Sequence, residues 1–247
     1  MSAFLTEGGE RYLALLQRCV TRELFLDQDE PDVDPLVRAE GRDWPPTAET
    51  MVGRARLEHV VACARMAIED DVPGDFAECG IWRGGAVALL RATLAAYGDR
   101  DRQVWGADSF DGLPVPDTDR YPADAGYDWS GVDALRVTID DVRANLDRYG
   151  LLDDRVHLLQ GWFEDTLPTA PIERLSLLRV DGDLYQSTTD ALTALEPRVS
   201  DGGFVIIDDY NGWPPCRQAV DDYRAAWEIT SPLEPVDWVA VWWRKGT

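Results

Sequence analysis

Continuous apolar runs alternate with stretches of helical spacing along most of the chain. Residues 175–180 (LSLLRV) and 204–207 (FVII) are typical of strands that are buried on both faces of a sheet. The stretch between them, residues 187–199, has the length and the apolar spacing of a helix. A strand, a helix and a second strand in this order predict a parallel sheet with crossover helices.

The same alternation covers the chain from residue 76 onward. Further strands are predicted over residues 76–80, 104–108 and 156–159, and further helices over residues 86–97, 132–149 and 217–227. A last pair of runs, around residues 233–236 and 239–243, has the spacing of a hairpin and predicts an antiparallel strand at one edge. The predicted fold class is therefore α/β, with a Rossmann-like, mostly parallel sheet of seven strands.

Two irregular stretches complete the predicted organisation. The chain starts with helical spacing, the acidic and proline-broken residues 27–46 are typical of a loop or flap, and a helix is predicted from Thr47 to Ile68. Residues 112–131 are rich in Pro, Asp, Tyr and Gly, and an irregular stretch of this length predicts a lid over a pocket. We predict a single domain, in which residues 1–46 form an N-terminal helix and flap and residues 47–247 form the main α/β unit.

The composition is that of a folded, water-soluble protein and argues against several kinds of partner. The chain has 247 residues, of which 45% are hydrophobic and 28% charged, and its formal net charge is −22. A nucleic acid is a poor partner for this charge, because binding to phosphates needs clustered Lys and Arg. No run reaches transmembrane length and no early segment has the pattern of a secretory signal, so we expect a cytoplasmic protein that does not bind a membrane.

Cysteine and histidine are too few and too scattered to predict a zinc site. The four cysteines form no CxxC pair, and the chain has only two histidines. We therefore expect reduced, buried thiols.

An acidic pair follows each of the two buried strands described first. Asp181-Gly182-Asp183 follows the strand at 175–180, and Asp208-Asp209 follows the strand at 204–207. The carboxyl ends of parallel strands line one crevice, so four carboxylates are expected at one edge of a pocket. Their mutual repulsion is relieved by a hard divalent cation with oxygen ligands. The sequence therefore predicts a metal site at the edge of the sheet.

A glycine-rich turn, residues 78–85 (ECGIWRGG), joins the first predicted strand to its helix. The turn lacks the G-x-G-x-x-G spacing of a dinucleotide site, which disfavours a nicotinamide or flavin dehydrogenase. Asp108 ends the second strand, where a carboxylate can accept the hydroxyls of a ribose. A pocket for a ribose without a pyrophosphate fits S-adenosylmethionine, which also carries a sulfonium cation suited to acidic surroundings.

Several segments together resemble the macrocin O-methyltransferase family. They are AECGIWRGGA, ADSFDGLP, YGLLDDRVHLLQGWFEDTLP, LRVDGDLYQST and GGFVIIDDY. The similarity extends from about Thr47 to the C-terminus, and it is greatest to the family's mycinamicin III and macrocin branch. It implies a class I methyltransferase fold and a metal-dependent enzyme that methylates sugar hydroxyls of natural products such as macrolides and aminocoumarins.

The resemblance also implies roles for individual residues. It places magnesium ligands at Asp181, Asp208 and Asp209, and a general base at Asp183. The residues implied for the S-adenosylmethionine site are Glu78, Gly80, Asp108 and Ser109, flanked by Met51 and Trp162. Other interpretations stay open at this point, because Asp183 also suits a helix cap or a group behind the metal ligands, and Met51 and Trp162 also suit ordinary core packing.

Two other activities remain compatible with these residues. A catechol-type O-methyltransferase uses the same metal chemistry on a planar phenol, and the ten tryptophans do not exclude a slot for one. A relative of proteins linked to cephalosporin hydroxylation could bind the cofactor without transferring methyl. For the sugar O-methyltransferase, the expected partners are a glycosylated small molecule and, from the resemblance, a second copy of the chain in a dimer or larger homo-oligomer.

Overall fold

The computed structural model describes residues 5–246, and a seven-stranded sheet lies at its centre. The strands are β1 (Asp75–Cys79), β2 (Val104–Asp108), β3 (Val156–Gln160), β4 (Leu175–Val180), β5 (Val199–Ile207), β6 (Glu234–Pro235) and β7 (Val241–Arg244). Their order is β3-β2-β1-β4-β5-β7-β6, in which β1 to β5 are parallel and β7 is antiparallel to both of its neighbours. The predicted α/β class, with a mostly parallel sheet and an antiparallel C-terminal edge, is confirmed.

The sheet has a topological switch point between β1 and β4. From β1 the chain adds β2 and β3 on one side, then crosses back and adds β4 and β5 on the other side. In open α/β sheets, ligands bind in the crevice outside the carboxyl ends of the strands at such a point. The ends of β1 and β4 therefore mark the place where a site is expected.

Helices cover both faces of the sheet. Those in the described residues are α1 (Glu7–Val20), α2 (Leu26–Asp29), α3 (Pro35–Ala39), α4 (Arg54–Glu69), α5 (Gly85–Tyr97), α6 (Ile139–Arg148), α7 (Phe163–Thr166), α8 (Tyr185–Leu195) and α9 (Pro214–Ala226). Helices α1, α4, α5 and α6 share one core with the sheet, and α8 and α9 share the other. Adjacent residues of a strand face opposite sides, so Val205 belongs to one core and Ile206 to the other. None of the described helices combines the length and apolar character needed to span a membrane.

Helix α4 begins at Arg54, later than the predicted start at Thr47. The residues before it are used in contacts with other elements. The backbone N–H of Glu49 donates to the carbonyl of Val20 at 2.9 Å, and its carbonyl accepts from Gly85 at 2.9 Å. A helix would require these groups for its own ladder, so tertiary contacts override the local preference here.

Helix α6 is also shorter than predicted, because it begins at Ile139 rather than near residue 132. The hydroxyl of Thr138 accepts a hydrogen bond from the N–H of Asp141 at 3.2 Å and caps the helix. This threonine was the more informative start signal in the sequence.

The acidic segment 27–46 contains two short helices where the sequence predicted only a loop or flap. The side chain of Asp34 caps α3 by accepting from the N–H of Leu36 at 2.9 Å. Arg38, which is buried, pairs with Glu30 at 2.9 Å and with Asp43 at 2.7 Å. Ion pairs rather than an apolar core therefore hold this segment in shape, which an apolar pattern does not reveal.

Residues 112–131, which we call the lid loop, have no strand or α-helix and contain one 3-10 turn, Pro122–Asp124. The carboxylate of Asp124 is buried and accepts from the N–H of Tyr185 at 2.6 Å and from the N–H of Gln186 at 3.2 Å. These are orphan donors in the first turn of α8, whose own N-cap residue supplies no side-chain bond. The lid loop is thereby attached to α8.

Candidate active site

A cavity of about 570 Å³ opens at the carboxyl ends of β1, β4 and β5. The glycine turn after β1, the end of β2, both acidic pairs, the lid loop and residues 41–44 form its walls. All ten residues that the sequence singled out line it: Met51, Glu78, Gly80, Asp108, Ser109, Trp162, Asp181, Asp183, Asp208 and Asp209. The fold therefore brings together every candidate residue, whose individual roles stay predictions.

Three carboxylates form an acidic cluster in this cavity. Asp181, Asp208 and Asp209 each offer an oxygen, and these atoms lie within 4.8 Å of one another. The register of the sheet explains the arrangement, because Val180 at the end of β4 lies opposite Ile207 at the end of β5. The residues that follow these two strand ends must then emerge side by side.

Asp183 lies next to the acidic cluster in a strained backbone conformation. Its φ is 56°, in the left-handed region, which Asp tolerates better than most residues. Its backbone N–H points to the carboxylate of Asp209 at 3.3 Å. This turn allows the Asp183 side chain to line the cavity before α8 begins.

Two buried arginines form an ion-pair network with the acidic cluster. Arg179, the penultimate residue of β4, pairs with Glu78 and Asp208, and with Asp181 at 2.9 Å. Arg56 of α4 pairs with the other oxygen of Asp208. Both oxygens of Asp208 therefore accept from an arginine, whereas Asp209 makes no ion pair among the residues that the structure describes.

The pKa values of the four aspartates differ because their neighbours differ. Burial and the nearby charges of Asp181 and Asp183 raise the pKa of Asp209 well above its usual range. Burial and the charges of Asp181 and Asp208 raise the pKa of Asp183 to about 8. Burial also acts to raise the pKa of Asp208, but the two arginines outweigh it and hold this pKa below its usual range. The two arginines thus outweigh the repulsion from neighbouring carboxylates at Asp208. At Asp181, Asp183 and Asp209 this repulsion is not fully offset.

Gly80 is required by the close approach of two loops. Its φ is 82°, and a Cβ atom at this position would lie 1.8 Å from the carbonyl oxygen of Asp181. The backbone N–H of Asp181 in turn donates to the carbonyl of Cys79 at 2.8 Å. Gly80 therefore lets the turn after β1 lie directly against the acidic cluster.

Asp108 organises the same turn from the end of β2. Its carboxylate accepts backbone N–H groups from Ile81 at 2.9 Å, Trp82 at 3.2 Å and Phe110 at 2.9 Å. The hydroxyl of Ser109 lies 3.4 Å from the same carboxylate but donates to Gly112 at 2.7 Å. A carboxylate offers about four acceptor positions, so about one remains for a ligand hydroxyl. The predicted contact with a ribose is thus combined with a structural role that the sequence did not indicate.

Glu78 has one carboxylate oxygen free for a ligand. The residue is 2% exposed, and Oε1 pairs with Arg179. Oε2 is buried and has no hydrogen-bond partner among the described residues. Burial, opposed by Arg179, raises the pKa of Glu78 to about 7. An acceptor of this kind suits a hydroxyl or amino group of a cofactor.

The remaining predicted residues lie on the cavity wall. The hydroxyl of Ser109 donates to the carbonyl of Gly112 at 2.7 Å and so fixes the start of the lid loop. Met51 is half-buried, and Trp162 is 38% exposed. This exposure argues against ordinary core packing for the indole of Trp162.

Sequence reasoning missed Arg56 and Arg179. Arg179 carried a signal, because a charged residue inside an otherwise apolar buried strand needs a charged partner. Arg56 carried none, because its partner Asp208 lies 152 positions further along the chain. Only the fold reveals that two arginines hold the acidic cluster.

The sheet topology and the glycine turn after β1 are those of a class I methyltransferase fold, which implies S-adenosylmethionine as methyl donor. The chain belongs to the macrocin-O-methyltransferase family, whose model matches residues 10–245.

Curated relatives agree with this placement. The chain is 48% identical over 249 residues to the 8-demethyl-8-(2,3-dimethoxy-alpha-L-rhamnosyl)-tetracenomycin-C 4'-O-methyltransferase of Streptomyces olivaceus, covering 96% of this chain and 94% of that one. It is 45% identical over 250 residues to the mycinamicin III 3''-O-methyltransferase of Micromonospora griseorubida, covering 96% and 97%. Among solved structures, the O-methyltransferase NovP superposes with a TM-score of 0.93 at 45% identity, covering 97% of this chain and 100% of that one.

Proposed function

We propose that this protein transfers a methyl group from S-adenosylmethionine to a sugar hydroxyl of a glycosylated natural product, and that the reaction depends on Mg²⁺. The observation that carries the proposal is the acidic cluster, which lies beside Asp183 in the cavity at the switch point of the sheet. The relative from Streptomyces olivaceus is named for a rhamnosyl-bearing acceptor, which supports a sugar as the methylated group. The family placement favours this activity over the catechol-type and hydroxylase-like alternatives.

The donor set suits a hard divalent cation. Mg²⁺ prefers carboxylate oxygens and keeps several positions for water and substrate. Asp209 makes no ion pair among the described residues, and Asp181 pairs with Arg179 through one oxygen, so both have an oxygen available to a cation. Burial and like charges raise the pKa of both carboxylates, and a cation removes that cost. Asp208, whose oxygens accept from arginines, retains its charge and adds to the negative potential. When bound, the ion would supply Lewis acidity at the acceptor hydroxyl and fix its position.

The other end of the cavity suits S-adenosylmethionine. The free Oε2 of Glu78 and the remaining acceptor position of Asp108 can receive hydroxyl or amino groups. Gly80 keeps the turn close to these acceptors, and Met51 and Trp162 supply apolar surface beside them. The cofactor would supply a methyl group on a sulfonium, an electrophile that needs alignment more than activation.

Asp183 is the proposed acceptor of the hydroxyl proton. Its carboxylate lines the cavity beside the acidic cluster, where it can accept the proton of a hydroxyl that is held there. The left-handed backbone at Asp183 and its N–H contact with Asp209 hold the carboxylate in place. The lid loop, attached to α8 through Asp124, forms part of the cavity wall and would limit the access of water to the reacting groups.

The proposal predicts that Asp181→Ala abolishes methyl transfer and leaves S-adenosylmethionine binding intact, because the carboxylates proposed to bind the cofactor, Glu78 and Asp108, are supplied by β1 and β2 and not by Asp181. Labelled S-adenosylmethionine, MgCl₂ and a panel of glycosides measure the first property, and calorimetry measures the second. Asp140→Ala, at an exposed position on α6, is the control and should keep full activity. Full turnover by Asp181→Ala, or by enzyme treated with EDTA, would contradict the metal role.

A further inference from the structure

Six tryptophans line the cavity, and the proposed methyl transfer does not use five of them. Trp82 lies in the glycine turn, where its Nε1–H donates to the carbonyl of Ala134 at 2.8 Å, and Trp162 lies beside the proposed cofactor groups. The other four, which we call the indole wall, come from the segment before α4, the lid loop, the start of α9 and the loop before β7: Trp44, Trp129, Trp213 and Trp238.

Direct ring contacts connect three members of the indole wall. The ring centroids of Trp44 and Trp129 are 6.1 Å apart at an interplanar angle of 58°. Those of Trp129 and Trp213 are 5.4 Å apart at 90°, and Tyr127 continues the row at 6.0 Å from Trp213. Edge-to-face contacts of this kind fix the orientation of the rings. The wall is therefore an ordered surface in which Trp129 is the central ring.

The indole wall leaves much apolar surface in contact with water. Trp44 is 46% exposed and Trp238 is 42% exposed, and both line the same cavity. Grouped apolar surface costs free energy when solvated, so a grouped exposed patch usually marks a binding site. Trp238 is also oriented by other groups, since its Nε1–H donates to the carbonyl of Glu40 at 2.9 Å and the guanidinium of Arg42 lies 4.1 Å above its ring.

The wall and the acidic cluster occupy different depths of the cavity. Asp208 and Asp209 are buried, whereas Trp44 and Trp238 are exposed at the opening. A sugar hydroxyl that reaches Asp183 therefore leaves the rest of its molecule beside the indoles. In a glycoside, the part of the acceptor that lies beside the indoles is the aglycone.

We propose that the indole wall is an aglycone subsite that selects planar, conjugated ring systems. This inference rests on the proposed function, since it concerns what is attached to the methylated sugar. A flat aromatic system can stack on one indole while its edge meets another, as the 90° arrangement of Trp129 and Trp213 allows. A puckered aliphatic ring of equal size makes only C–H contacts and gains less from the same surface.

Two acceptors of matched carbon number test the subsite: the 2-naphthyl and decahydro-2-naphthyl α-L-rhamnosides. Calorimetry in the presence of S-adenosylhomocysteine gives their affinities, and methyl transfer gives kcat/KM for each. We expect the wild-type enzyme to bind the naphthyl glycoside at least tenfold more tightly. Trp129→Ala should reduce this preference to below about threefold, and Trp129→Phe should retain most of it.

Trp227→Ala is the matched control, because this indole is 60% exposed and packs on Tyr223 outside the cavity. It should keep the full preference for the naphthyl glycoside. Trp44→Ala, at the other end of the wall, provides a second variant in case Trp129→Ala unfolds, and it should lower the preference in the same direction.

Equal affinity of the wild-type enzyme for the two glycosides would overturn the subsite, as would an equal loss for both in Trp129→Ala and Trp44→Ala. Failure of the proposed function has a different signature. In that case the naphthyl preference is present in calorimetry, but no glycoside receives a methyl group.

Discussion

At the scale of single residues, Arg179 is the group on which the site depends most. Its guanidinium group partly neutralises the negative charges of Glu78, Asp181 and Asp208 inside the protein, where an unpaired charge is strongly unfavourable. Its replacement leaves these three carboxylates, of which Glu78 and Asp208 are buried, without their common partner. The carboxylates identified from the sequence therefore supply the negative charges of the site, and the arginines that balance them were not identified.

We predict that Arg179→Leu lowers the free energy of unfolding by about 3–5 kcal/mol at pH 8, the usual range for breaking a buried ion pair. The loss should be smaller at pH 5, because carboxylates whose pKa rises without the arginine become protonated and no longer repel. Urea denaturation at both pH values measures this. Arg143→Ala removes an exposed pair and should change stability by less than about 1 kcal/mol. Equal losses at pH 5 and pH 8 would disprove the electrostatic explanation.

His59 should make the fold sensitive to acid. Burial lowers its pKa from 6.5 to about 4, although Asp237 acts in the opposite direction. Because the folded state favours neutral His59, its contribution to the free energy of unfolding is complete above pH 6.5. This contribution is lost as the pH falls toward 4 and the imidazole of the unfolded chain takes up a proton. We predict that His59→Gln reduces the loss of stability between pH 7 and pH 4.5 by on the order of 2 kcal/mol. Chemical denaturation at the two pH values tests this, and an unchanged difference would exclude His59 as the cause.

The carboxylates could be predicted from the sequence at this scale, and the arginines could not. Asp181 and Asp208 follow apolar runs directly, and parallel strand ends meet at one edge. Which side chain Arg56 touches depends on how α4 packs on the sheet, which no local pattern specifies. The part of the site that depends on strand ends is thus visible in the sequence, and the part that depends on helix docking is not.

At the scale of elements, the attachment of the lid loop to α8 is the most consequential contact. Asp124 supplies two acceptors to the N-terminus of the helix that directly follows Asp183. A carboxylate here satisfies orphan N–H groups and interacts favourably with the helix dipole. The lid loop and the turn that carries the proposed base are therefore coupled.

We predict that Asp124→Ala lowers stability by about 1–2 kcal/mol, as expected for loss of a helix cap. It should also raise the exchange rates of the amides of Tyr185, Gln186 and the lid loop in hydrogen-exchange mass spectrometry. Asp124→Asn keeps one acceptor oxygen and should show a smaller increase. Unchanged protection of the lid loop in Asp124→Ala would show that other contacts hold it.

Element boundaries were predictable where local signals agree with the fold. The apolar runs located β4 within the sheet, and Thr138 marks the start of α6. The start of α4 was misplaced because the backbone groups of Glu49 and Thr50 bond to Val20 and Gly85 rather than within a helical turn. The two short helices of the acidic segment were missed because ion pairs of Arg38 stabilise them.

At the scale of the whole molecule, the parallel sheet and its switch point bring the ends of distant segments into one cavity. The apolar runs predicted the class of sheet, but not that the segment before α4, the lid loop and the loop before β7 meet around one opening. Those contacts join residues far apart in the chain, such as Trp44 with Trp129, and a periodic pattern contains no information about them. The candidate catalytic groups were therefore predictable, and the shape of the acceptor side was not.

The central claim is that Asp181 and Asp209 bind a divalent cation, and anomalous diffraction from a crystal soaked in MnCl₂ with S-adenosylhomocysteine tests it directly. We expect one strong peak in the cavity, at a coordination distance of about 2 Å from an oxygen of each of these residues. The peak should be absent from crystals of Asp181→Ala. A wild-type crystal without a peak in the cavity would contradict this claim.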